Sequence, residues 1–321
     1  LLVVGARGDG DDGPFAGSAY LFARQGWTWS EVTELHAADG SAYSSVGRAV
    51  SISGGRILLG SQPPVDPGAA YVFERSGSAW VQAQKLTASD AASGQWFGYA
   101  VVLRDDLAVI GAREDNGGRG AAYVFERTGS GWNESVKLTA SNGSGFGAAV
   151  ATDGARILVG AVSTQPAGAA YVYVPSGESW GLDQELVPSI GSVLGRFGSS
   201  VGILGDTAVV GADSNGVLQT GQGSAHAFDR SAGNWSEVAT LFPAGSAGIE
   251  EFGFSLTMTD ELVAIGARRD DNEGSVRIFP FEGAGERKCS CATGAPCGNE
   301  DERGGCRNQS WSRGALMYGC G

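Results

Sequence analysis

A short apolar run ending in Gly-Ala or Gly-Ser recurs six times and constrains the fold of this chain more than any other feature. Its glycines are spaced 55, 51, 49, 51 and 55 residues apart, at Gly5, Gly60, Gly111, Gly160, Gly211 and Gly266. Around these runs the same segments recur: Phe-Gly or Val-Gly upstream, an aromatic segment such as Ala-Tyr-Val-Phe downstream, and then a Trp. Four segments in a fixed order predict a repeat protein.

The segments have the composition and length of β-strands. Each has five to eight residues, is rich in Val, Ile, Tyr and Phe, and is bounded by Gly, Asp, Ser or Asn. The size of the side chains increases along each repeat, from Gly-Ala-Ala-Val through Tyr-Val-Phe to Trp. This gradient suits a wedge that is crowded at an axis and wide at a rim, whereas a β-solenoid would not need it. The sequence therefore predicts an all-β chain, a β-propeller of six visible four-stranded blades.

The regular pattern begins at the second strand of one repeat and stops after the third strand of the sixth. Either the two ends complete one ring of six blades, or sequence upstream of Leu1 supplies a seventh. The expected organisation is a propeller over residues 1–283 and a small Cys- and Gly-rich tail over residues 284–321.

The repeats resemble the FG-GAP family, and in particular its bacterial branch. Residues 86–90 (LTASD), 97–98 (FG), 109–112 (VIGA) and 122–127 (AYVFER) are close to the family's consensus. The resemblance implies a β-propeller related to the head of integrin α chains, usually extracellular and used for adhesion or ligand binding. It therefore predicts an extracellular or cell-surface binding module.

Charge and motifs narrow the function classes. The formal net charge is −13, from 22 basic and 35 acidic residues. Such a chain is expected not to bind nucleic acid or anionic lipid, and suits cations, basic partners or neutral glycans. No apolar run approaches the ~20 residues that span a bilayer. With two His residues and no catalytic triad order, the chain is predicted not to be an enzyme. The expected ligand is a glycan or a protein; a structural scaffold, or less favourably a loop-built hydrolase or lyase, are the alternatives.

Acidic residues suggest calcium at one position of the repeat. The integrin-type calcium loop, between the first two strands, does not carry over, because connections such as residues 103–107 hold too few carboxylates for six to eight oxygen ligands. Acids concentrate instead between strands two and three, at Asp9, Asp11, Asp12, Glu114, Asp115, Asn116, Asp213, Asn215, Asp270, Asp271 and Asn272. One or more of these loops, first of all residues 9–12, is hypothesised to bind calcium; the alternative is a solvated turn.

All cysteines lie in the tail, at Cys289, Cys291, Cys297, Cys306 and Cys320. A segment with so little apolar content needs cross-links, either disulfide bonds or a bound metal ion, to hold a fold. Because the tail has no Cys-x-x-Cys pair, disulfide bonds are favoured over a zinc site. Disulfides imply an oxidising compartment, which agrees with an exported protein.

Overall fold

The computed structural model describes residues 1–64, 66–129, 131–190, 195–214, 221–243, 249–270 and 273–280. The described residues form six antiparallel sheets that follow one another along the chain as the blades of a β-propeller. This confirms the predicted all-β fold. The predicted tail, with its five cysteines, lies outside the described residues.

Each strand of a blade has one of four positions, from the inner first strand to the outer fourth strand. The first strands are β4 (Val46–Ser53), β8 (Phe97–Arg104), β12 (Phe146–Thr152), β16 (Phe197–Leu204) and β20 (Phe252–Met258). The second strands are β1 (Leu2–Ala6), β5 (Arg56–Ser61), β9 (Leu107–Ala112), β13 (Ile157–Ala161), β17 (Thr207–Ala212) and β21 (Leu262–Ala267). The third strands are β2 (Ser18–Gln25), β6 (Ala69–Ser76), β10 (Ala121–Thr128), β14 (Ala169–Ser176), β18 (Ser224–Ser231) and β22 (Ser275–Pro280). The fourth strands are β3 (Thr28–Leu35), β7 (Ala79–Leu86), β11 (Gly131–Leu138), β15 (Ser179–Leu186) and β19 (Asn234–Leu241).

Four sheets have all four strands in sequence order, whereas the first contains β1–β3 and the last contains β20–β22. One helical turn, α1 (Asp115–Gly118), lies in a loop. No helix within the described ranges is long and apolar enough to cross a membrane.

The Phe-Gly segment makes the junction between blades. At the start of β8 the pairing shifts, so that Phe97 lies opposite Ala112 while Ala100 lies opposite Gly111. Within this bulge Gly98 has a φ of +90°, and its carbonyl oxygen comes so close to Gly60 of the preceding blade that a Cβ there would lie 2.1 Å away. A side chain at either glycine would force the blades apart, which explains why glycine recurs in both segments.

Aromatic rings fill the space between blades farther from the axis. Phe97 is fully buried and meets Tyr123 of its own sheet edge-on, with ring centroids 5.3 Å apart. The same core contains Leu58 and Val72 of the preceding blade. Equivalent cores lie at the following junctions, so each blade is held mainly by its neighbours.

Outer strands of adjacent blades are joined by side-chain amides. Gln84 of β7 donates to the carbonyl of Trp132 and accepts from its N–H, both at 2.8 Å. Gln184 of β15 makes the same two bonds to Trp235. Both Trp rings are buried, as the predicted size gradient requires.

Candidate functional site

The loops that join second to third strands and those that join fourth strands to the next blade emerge at one end of the propeller, here called the mouth. Alternation of strand direction brings the two kinds of loop to the same end. They are tied together by backbone hydrogen bonds, such as Gly145 N–H to Gly118 O at 2.7 Å. The predicted calcium ligands that lie within the described residues belong to loops of the mouth.

Two exposed aromatic side chains stack at the mouth between the first and second blades. Phe15 and Tyr43 are 58% and 53% exposed, with ring centroids 6.1 Å apart and an interplanar angle of 20°. Both have left-handed backbones, with φ of 55° and 67°. The Tyr43 N–H donates to Pro14 O and the Ser45 N–H to Phe15 O, so the two loops hold each other in place. Bulky residues seldom adopt this conformation, because it costs about 1–3 kcal/mol each.

The loop that carries Phe15 also carries the first predicted calcium loop. Ligand atoms of Asp9, Asp11 and Glu34 lie within 4.8 Å of one another. Asp9 accepts hydrogen bonds from the Asp11 N–H and the Tyr20 hydroxyl, which lower its pKa. The carboxylate of Asp12 instead lies 2.8 Å from His36 Nδ1. The structure thus groups Asp9 and Asp11 with Glu34, which the sequence analysis did not single out, and separates Asp12 from them.

A second aromatic pair lies near the axis on the third blade. Trp96 stacks on Tyr99 at 5.9 Å and 9°, and it too has a left-handed φ, 58°. The guanidinium of Arg48 lies 4.3 Å from the Tyr99 ring centroid, and Arg113 donates to the Tyr99 hydroxyl at 3.2 Å. Burial would raise the pKa of Tyr99, but these two cations outweigh it and lower the pKa.

A cleft of 640 Å³ lies among the mouth loops of the same blade, with Asp115 buried in its wall. The Asp115 carboxylate lies 2.8 Å from Lys137 Nζ and accepts a hydrogen bond from Gln95 at 2.7 Å. Lys137 also contacts Asp90 at 2.6 Å, and Tyr123 donates to Asp90. Burial opposes the charge on Lys137, but the hydrogen bonds to Asp115 and Asp90 raise its pKa above the usual range. The lysine therefore stays protonated and is unsuited to act as a base or nucleophile.

Other predicted calcium ligands are also paired with cations of the chain. Asp213 is buried 3.3 Å from Arg196, and burial raises its pKa. Asp270 accepts from Ser275 and lies 3.5 Å from Arg277. Asn116 has a left-handed φ in the helical turn beside Asp115. Glu114 lies 3.6 Å from Arg113. The remaining predicted ligands, Asn215, Asp271 and Asn272, lie outside the described residues.

Two further acid–base groups, Glu251 and His226, are held by partners within the chain. Glu251, whose charge raises the pKa of Asp213, is itself paired with Arg268 and Arg269. His226, at the position of the third-strand Tyr, is fully buried between Phe197, Ser224 and Glu237. Burial opposes ionisation of Glu237, but hydrogen bonds from His226, the Ser189 N–H and Thr240 lower its pKa to about 2. This arrangement supports packing rather than proton transfer.

Comparison with known families identifies the repeat. The sequence profile described as FG-GAP repeat matches residues 29–73, 80–125, 132–173, 180–228 and 235–279. Each matched unit starts in the outer strand of one blade and ends in the third strand of the next. No individual curated protein matches the chain.

Proposed function

The chain belongs to the FG-GAP repeat family, and from that premise we propose that it is an extracellular binding module that recognises a glycan at its mouth. The fold is consistent with a binding or scaffold role. The observation that carries the choice of a glycan is the exposed, stacked pair of Phe15 and Tyr43.

Flat aromatic rings bind the apolar faces of sugar rings, because both surfaces shed water on contact. Phe15 and Tyr43 present such a surface, and their left-handed backbones hold it at the cost of strain. A purely structural scaffold has no use for exposed aromatic residues in strained loops, since glycine would be more stable there. The net charge of −13 also disfavours polyanionic ligands and leaves neutral glycans as suitable ones.

The test is binding of the full chain to a glycan array, with Phe15→Gly and Tyr43→Gly variants. Each variant should weaken the affinity for a captured glycan by about tenfold or more. It should also leave the melting temperature unchanged or raise it, because glycine relieves the left-handed strain. Trp27→Ala is the matched control, because Trp27 is 93% exposed in a hairpin at the opposite end of the same blade. A lower melting temperature with unchanged glycan binding would make the pair structural and exclude this proposal.

A second candidate function, calcium binding, is favoured by the carboxylates of Asp9, Asp11 and Glu34. Three carboxylates with water in the remaining positions suit a weak, hard-cation site. In thermal unfolding, millimolar calcium should raise the melting temperature relative to chelator, by ligand linkage. The shift should disappear in Asp9→Asn combined with Asp11→Asn, and persist in Asp105→Asn, whose exposed carboxylate lies at the opposite end. Equal melting temperatures with and without calcium would show that these acids form a solvated turn.

A further inference from the structure

Arg48 differs from every other half-buried basic residue of the described structure, because it has no acidic partner. The others each lie within 3.6 Å of a carboxylate oxygen, as Arg56 does with Glu74 and Arg196 with Asp213. The Nε of Arg48 donates instead to the side-chain oxygen of Gln62 at 3.0 Å. A partly desolvated charge without a counterion is unfavourable, and it is unexpected in a chain with a net charge of −13.

A second guanidinium converges on the aromatic ring that Arg48 contacts. The guanidinium carbons of Arg48 and Arg113 lie 4.3 Å and 5.5 Å from the centroid of the Tyr99 ring. Arg113 also donates to the Tyr99 hydroxyl at 3.2 Å, and its Nε lies 3.6 Å from a carboxylate oxygen of Glu114. The carboxylate of Glu114 can balance one of the two positive charges, so the cluster keeps a net positive charge.

The segment of the mouth that carries Tyr43 also carries Arg48. Five residues separate the two, so their Cα atoms are at most about 18 Å apart. The segment folds back on itself, because the Arg48 N–H donates to the carbonyl oxygen of Ser45 at 3.2 Å. Trp96, which stacks on Tyr99, adds an apolar surface beside the cations. A short oligosaccharide is long enough to contact Tyr43 with one sugar and Arg48 with another.

We propose that the glycan recognised at the mouth carries one uronic acid, and that Arg48 and Arg113 bind its carboxylate. This inference rests on the proposed glycan function and narrows the class of glycan. A guanidinium donates two parallel hydrogen bonds to one carboxylate, and the Nη groups of Arg48 meet no carboxylate among the residues described. One charge in an otherwise neutral glycan is compatible with the acidic protein, which repels polyanions.

The test uses a glycan array of matched pairs, in which each neutral oligosaccharide is accompanied by the same oligosaccharide with one glucuronic or galacturonic acid. The acidic member of a captured pair should bind the full chain at least about tenfold more tightly. Raising NaCl to about 0.5 M should reduce this preference, because salt screens the charges. Equal binding of both members would overturn this proposal and leave the glycan site itself standing. Capture of no oligosaccharide would overturn both proposals.

Variants of the protein locate the carboxylate site. Arg48→Gln should remove the preference, so that both members of a pair bind with equal affinity, whereas Tyr43→Gly should weaken both. Arg24→Gln is the matched control and should keep the preference, because the Arg24 guanidinium also lies over a ring, 5.4 Å from the Trp27 centroid, at the opposite end of the propeller.

The melting temperature shows whether the Arg48→Gln variant keeps its fold. It should change little, because the charge that is lost has no carboxylate partner in the part of the chain that the structure describes. A preference for the acidic member that survives Arg48→Gln would overturn the proposal, as would its loss in Arg24→Gln.

Discussion

A hydrogen atom in place of a side chain allows two backbones to meet at each blade junction. At Gly160 an added Cβ would lie 2.0 Å from the carbonyl oxygen of Gly198 and 2.8 Å from its carbon, and backbone atoms cannot turn aside as a side chain can. Gly266 occupies the same repeat position, but the atom nearest to an added Cβ is the hydroxyl oxygen of Ser255, which can rotate away. A side chain should therefore cost more stability at Gly160 than at Gly266.

Gly160→Val should lower the free energy of unfolding by about 1–3 kcal/mol or more, through overpacking of the inner strands. Gly266→Val should lower it by clearly less, and it serves as the matched control because Gly266 also lacks a left-handed φ. Denaturant unfolding of both variants measures the difference. Equal losses would mean that the close backbone approach at the junction does not account for the loss at Gly160.

Single residues also mark the limit of the sequence-based prediction. The recurrence of Gly160 and its equivalents predicted close packing at an axis, but not which carbonyl lies above each glycine. Phe15 and Tyr43 carry no repeat signal, because they lie in irregular loops of different repeats and meet only through the fold. Glu34 was missed for a similar reason: it projects from β3 toward the loop of Asp9.

At the scale of elements, an ion pair fastens the helical turn α1 to the strand β11. Asp115 of the turn is nearly fully buried, and Lys137 of β11 neutralises it while also contacting Asp90 of the preceding loop. The strands themselves were predictable from their apolar composition and turn residues. This cross-connection was not, because the sequence placed Asp115 only among the hypothesised calcium ligands, whereas the contact with Lys137 depends on tertiary structure.

Lys137→Met should lower the free energy of unfolding by about 3 kcal/mol, because it leaves the buried charge of Asp115 without its partner. Adding Asp115→Asn should recover most of this loss, since the amide needs no countercharge. Urea unfolding of the single and double variants forms the required cycle. Losses that simply add would show that the two groups do not interact.

At the scale of the whole molecule, the described sheets contact mainly their nearest neighbours, and the first and sixth sheets each expose apolar side chains on one face. The sequence leaves open how the ends meet, because spacing gives the number of repeats but not the gap between the first and the last. The described structure has six blades, with apolar side chains such as Val4 and Val276 exposed on the first and sixth sheets.

Hydrogen exchange should therefore be uneven across the propeller. Amides of β1, β2, β21 and β22 should exchange faster than those of β9, β10, β13 and β14, because local opening of a terminal sheet breaks contacts on one side only. Mass spectrometry of peptides from each blade measures the rates. Uniform protection of all six sheets would indicate that the first and sixth sheets are held as firmly as the others.

The matched family unit and the blade are out of phase by one strand, since each unit begins in the outer strand of the preceding sheet. A tandem duplication of that unit therefore never inserts a freestanding module. Every new copy gives its first strand to its predecessor and receives its last strand from its successor. In a propeller that grows by recombination of such units, every new blade therefore shares strands with both neighbours. The number of blades can change while each junction between blades keeps the same residues.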